Sequence, residues 1–100
     1  MTIHHIVTWK LAATDPQTRA EHASGMSQRL TALVGVVEDI RALTVATNVA
    51  YPEQNWDVVL VSEFADLDAL ERYQEHPAHH EAAVYVRSVV SERASIDYSL

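Results

Sequence analysis

Apolar positions recur along this chain in two rhythms, and the switches between them divide it into elements. The first stretch, IHHIVTWKL at residues 3 to 11, is rich in β-branched and aromatic residues and short enough for a strand. Ile3, His5, Val7 and Trp9 share one face; His4, Ile6, Thr8 and Lys10 share the other. Both faces carry apolar residues near the start, which predicts cover on both sides. The rhythm then becomes helical. Asp15 is placed to cap and Pro16 to occupy the first turn. Ala20, Ala23, Met26, Leu30, Leu33 and Val34 form a stripe, with Gly35 as the expected stop. Gly25 sits mid-helix, where glycine costs up to ~1 kcal/mol relative to alanine.

A second strand is expected from about Ile40 to Val49, then a turn on Pro52 and Asn55. WDVVLVSEFA, residues 56 to 65, is the strongest strand signal, and its near-continuous apolar run predicts burial on both faces. Asp66 caps a second helix in which Leu67, Leu70 and Tyr73 lie close together. Pro77 pushes His76 out of helical geometry and can itself open a third helix, running through AHHEAAVYVRSVVSE. RASIDYSL, residues 93 to 100, closes as a strand. The order βαββα(α)β is the split βαβ pattern: an α+β, ferredoxin-like fold, with a four-stranded antiparallel sheet and helices on one face. An uncovered apolar sheet face calls for a partner, and a homodimer through the open face is the economical one.

Composition narrows the function classes. One hundred residues make a single domain, residues 1 to 100. With no cysteine, thiolate nucleophiles, disulfides and cysteine-held metals are excluded. A formal charge of −7 disfavours nucleic acid or an anionic membrane as partner. The start of the chain does not read as a signal peptide, and no apolar run is long enough to span a bilayer, so a cytoplasmic location is expected. No nucleophile elbow, Walker loop or dinucleotide fingerprint is present, and no cofactor is expected.

The candidate chemistry lies in YQEHPAHH, residues 73 to 80. His79 heads the stripe His79, Ala83, Val86, Val90 and is expected to point inward, while His80 aligns with Val84, Arg87 and Ser91 and is expected to meet water. The Pro77 kink can bring Tyr73 toward His79. A histidine in a first helical turn sees the positive end of the dipole, which favours its neutral, proton-accepting form. A nearby tyrosine can orient it or donate to a developing oxyanion. His5 becomes a third polar group if its face is the helix side. The same residues also suit a structural role, satisfying backbone groups at a kink. A metal is not expected: His80-Glu81 is followed at the second ligand position by Val84. His4, His76 and His80 read as solvated or interface residues, and Asp97 as either paired or at the rim.

These stretches together, with the Tyr-x-x-His-Pro-x-His run as the most specific, resemble the stress-responsive α/β-barrel (Dabb) family over nearly the whole chain. The resemblance implies a ferredoxin-like subunit that dimerises into an α+β barrel. It also implies two readings of function. One plant branch cyclises a linear polyketide by aldol condensation without a cofactor. Its tyrosine, its histidine base and its first-strand histidine match Tyr73, His79 and His5, while its third-strand histidine has no counterpart in WDVVLVSEF. The expectation is an apolar pocket for a small hydrophobic or aromatic molecule, with His79 as base, Tyr73 as partner and His5 as auxiliary. The other reading is a non-catalytic stress or assembly module. Cofactor-free oxygenation follows by fold analogy alone.

Overall fold

Strand β1, Ile3–Leu11, alternates buried and half-buried residues without a break, as a strand covered more fully on one side than the other must. The computed structural model describes residues 1–100. Helix α1 spans Pro16–Thr31; Asp15 accepts from the Thr18 N–H at 2.9 Å and Pro16 opens the helix. Strands β2, Ala42–Thr47, and β3, Val58–Phe64, form a hairpin. Helix α2, Leu67–Glu75, and helix α3, Pro77–Val89, meet at His76, and α3 runs straight into strand β4, Val90–Tyr98. The sheet order is β2-β3-β1-β4, antiparallel throughout, with all three helices on one face. The ferredoxin-like expectation holds. No helix is long and apolar enough to cross a membrane.

The register sorts the side chains into rows. On the helix side, Leu43, Ser62, His5 and Asp97 form one row across the four strands, and Val45, Leu60, Val7 and Ser95 the next. The core lies here, with Phe64, Leu60, Val58, Met26 and Tyr73 almost fully shielded. Buried Ser62 is satisfied because its hydroxyl donates to the His5 carbonyl at 2.9 Å. On the opposite face, Thr44, Val61, Ile6 and Ile96 form a row with Ala42, Glu63, His4 and Tyr98 beside it. Val61 and Ile96 are exposed there, and His4 stacks on Tyr98 with ring centroids 4.8 Å apart. The expectation that β3 would be buried on both faces therefore fails in the single chain: Val61 faces solvent.

Three boundaries differ from expectation. Helix α1 stops at Thr31, not at Gly35; the chain then tightens through Leu33 N–H to Leu30 and Val34 N–H to Thr31 bonds. Gly35, at φ +88°, serves the turn beyond it. Leu33 is still buried, but Ala20 and Val34 are exposed. Strand β2 is shorter at both ends because the apolar run extends into the loop, where Val49 is exposed. Strand β4 begins at Val90, not Arg93, so Val90 belongs to the sheet. On α2, Leu67 is exposed and Ala69, Leu70 and Tyr73 face the core.

Candidate active site

The elbow between α2 and α3 is made by one residue. Pro77 excludes helical geometry at His76, which is extended at φ −64°, ψ 135°. The backbone groups freed there are recovered locally: His76 Nδ1 accepts from the Ala78 N–H at 3.0 Å, and the His76 N–H donates to the Tyr73 carbonyl at 3.2 Å. His76 is therefore a half-buried helix cap rather than a solvated side chain. This turn folds α3 back over the end of α2 and sets the Tyr73 and His79 rings edge to face, 4.6 Å between centroids.

Tyr73 is 1% exposed and packs on Phe64 at 4.9 Å. Burial pushes its phenol up to about 12, with the Arg93 charge pulling the other way, so it stays protonated at neutral pH. Its hydroxyl has no partner within the protein. His79 is half-buried, and its Nδ1 is sealed from solvent without a hydrogen-bond partner. Burial holds its pKa below the usual histidine value; the Gln74 backbone beside the ring opposes this, and the charges of His80, His5 and Arg93 reinforce it. The stripe expected to carry His79 into the core is turned: Ala82, Val86 and Val89 are the buried positions of α3, and His79 and Ala83 flank them.

His5 does lie on the helix side. It is buried, its ring 6.3 Å from Tyr73, and its Nδ1 is paired with the Asp97 carboxylate. A carboxylate only accepts, so Nδ1 carries a proton, and in the neutral ring Nε2 is the acceptor. Asp97 is the residue that sequence reading left undecided. The pairing follows from the register, which sets His5 opposite Asp97 on adjacent strands. Two histidine arrangements thus flank one tyrosine, and only His5 is backed by a carboxylate.

These groups line a cavity of about 530 Å³. Its walls include Val7, Trp9, Leu60, Val86 and Val90, with His5, Tyr73 and His79 among them and His80, Arg87 and Arg93 also contributing. A larger groove of about 790 Å³ lies between α1 and β2, but its charged groups are satisfied. Arg19 meets Asp57 at 2.7 Å and Asp57 also accepts from the Leu11 N–H at 2.8 Å. The smaller cavity is therefore the candidate site. Its histidines do not converge on a single ion: the His79 and His80 rings are 6.3 Å apart and turned 77°, and His76 Nδ1 is committed to the helix cap. What the arrangement offers is a proton acceptor and a proton donor side by side against an apolar wall.

Residues 3–100 match the family model described as the stress responsive A/B barrel domain. Among curated proteins, an uncharacterized protein of Streptomyces coelicolor is 35% identical over 77 residues, covering 77% of this chain and 78% of the relative. Among solved structures, a dimeric protein of unknown function with a ferredoxin-like fold from Bacteroides fragilis superposes with a TM-score of 0.90 at 28% identity, covering 99% of this chain and 96% of the other. SnoaB, a cofactor-independent oxygenase from Streptomyces nogalater, shares the fold at a TM-score of 0.74 and 13% identity, covering 99% and 92%.

Proposed function

The chain belongs to the stress responsive A/B barrel family, and from that premise we propose that it binds a small hydrophobic or aromatic carbonyl compound and promotes cofactor-free proton transfer on it. The observation that carries this reading is the convergence of Tyr73, His79 and His5 on one largely apolar cavity. His79, kept neutral by burial, accepts a proton from a carbon next to the carbonyl. Tyr73, kept protonated by burial, donates to the enolate oxygen that forms. His79 then gives that proton back to the product, and His5, oriented through Nδ1 by Asp97, is an auxiliary polar group beside the reacting atoms. Aldol cyclisation and isomerisation both begin with such a step. The working unit is a homodimer joined through the open sheet face, supported by the exposed Val61 and Ile96 and by the dimeric state of the Bacteroides fragilis relative.

The test is deuterium exchange at the methyl group of aryl methyl ketones in heavy water, followed by proton NMR. The wild type accelerates exchange, and His79→Ala and Tyr73→Phe each lower the rate by about 10²-fold or more. Full exchange activity in His79→Ala would remove the assignment of the base.

A second reading takes Tyr73 and His79 as elbow packing in a non-catalytic module, favoured by the nearly complete burial of Tyr73 against Phe64. The oxygenase chemistry of SnoaB is carried to this chain by fold alone, and oxygen uptake with quinol-like substrates tests it.

A further inference from the structure

We infer that the ligand of this cavity carries a carboxylate, seated between Arg87 and Arg93 at the mouth while its apolar body lies against Val7, Trp9 and Val86. The inference rests on the cavity reading above and specifies the class of molecule it takes.

The first argument is where the charges are. The chain has 14 acidic and 7 basic residues. No aspartate or glutamate lines the cavity, yet two arginines do. Asp97, on the same face of β4 as Arg93, is already engaged by His5. Elsewhere three cations are matched, Lys10 with Glu92 at 3.1 Å, Arg19 with Asp57 at 2.7 Å and Arg72 with Asp39 at 2.8 Å, while Arg41, away from the cavity, has no carboxylate partner. Arg29 lies 3.7 Å over the Tyr85 ring. Arg87 and Arg93 have no carboxylate partner; Arg93 reaches only the Ser95 hydroxyl, at 3.4 Å. In an acidic protein, cations left free at one concavity favour an anion there.

The second argument is placement. Arg93 is opposite Trp9 in the β1–β4 register, on the same face as Ser95 and Asp97, so β4 gives this side of the cavity a polar edge. Arg87 stands on the last turn of α3, and no loop separates that helix from β4. The two arginines are thus carried by one uninterrupted helix-to-strand segment, and both side chains line the cavity. The opposite wall is apolar. The charge of Arg93 is felt by both Tyr73 and His79, so it lies within electrostatic reach of the reacting groups. A guanidinium pair holds a planar carboxylate by charge-assisted hydrogen bonds and fixes its direction. About 530 Å³ accommodates a body of one or two rings.

The experiment is titration calorimetry with 2-naphthoic acid, its primary amide and its methyl ester, on the full chain at low and high salt. The variants are Arg93→Met, Arg87→Met and, as a control cation outside the cavity, Arg41→Met. The wild type is expected to bind the acid about tenfold more tightly than the amide at low salt. That preference falls to within about twofold in Arg93→Met and weakens as salt rises, while Arg41→Met retains it. Equal binding of acid and amide to the wild type would overturn the carboxylate and leave the cavity reading standing. An equal loss in Arg41→Met would overturn it too, as attraction without a site. Failure of all three probes to bind would overturn the cavity reading, and this inference with it.

Discussion

Replacing Tyr73 with phenylalanine removes one oxygen and leaves the ring on Phe64, so it separates the two readings of the elbow. A hydroxyl that ties down backbone contributes about 1 kcal/mol, which its removal forfeits. Here the hydroxyl has no protein partner and opens onto the cavity. Tyr73→Phe is therefore expected to change stability at pH 7 by less than about 0.5 kcal/mol, because no hydrogen bond within the protein is lost. At high pH the variant departs from the wild type. Burial raises the Tyr73 phenol from 10.0 to about 12 in the folded chain. Between those values the native state keeps a proton that the unfolded state has lost, so stability falls as pH rises. Below pH 10 the contribution is complete; once the pH has risen past the folded pKa it is gone. A rise from 10.0 to about 12 corresponds to roughly 3 kcal/mol. The assay is urea denaturation from pH 7 to 11.5, with tyrosinate absorbance followed in parallel. Subtracting the variant's titration cancels the other tyrosines. The reasoning is refuted if Tyr73→Phe loses more than about 1 kcal/mol at pH 7, or if the difference titration centres near 10.

Two further outcomes follow from packing. A Cβ built on Gly25 falls 2.3 Å from the Tyr85 hydroxyl and 2.8 Å from its ring carbon, and that ring is pinned by Arg29. Gly25→Ala should therefore cost about 1–2 kcal/mol despite its better helix propensity, yet stabilise by up to ~1 kcal/mol in a Tyr85→Ser background; thermal melts of the four-member cycle read the reversal of sign. Ile96→Glu with Val61→Glu, both on exposed positions of the open face, should shift the chain toward monomer in sedimentation velocity while the subunit stays folded; an unchanged dimer would place the interface elsewhere.

Much of the fold could be read locally. The alternation of β1 put His5 on the side of Val7 and Trp9, and Pro77 broke the last helical stretch at His76, which is where the site forms. What failed lacked local punctuation. Between α3 and β4 there is neither glycine nor proline, and Val90 continues the apolar stripe of Val86, so the helix looked longer than it is. The β2 run was overextended because Ile40 and Val49 are apolar without belonging to the strand. The His5–Asp97 pair is separated by 92 positions and exists only through strand register. The same holds for Arg93 beside Trp9. Sequence periodicity assigns a residue to a face, but it does not say which residue of a distant strand lies opposite.

His4 and His5 are neighbours in the chain and face opposite sides of one sheet. His4 belongs with Tyr98 on the open face, and His5 with Asp97 at the cavity. Two copies joined through their open faces then carry their cavities on opposite outer sides, with two sheets about 10 Å apart between them. In a dimer joined that way each cavity would keep its own entrance, since its lining residues lie on the helix side of one chain. Saturation should reach one ligand per chain along a simple hyperbola, with a Hill coefficient of about one.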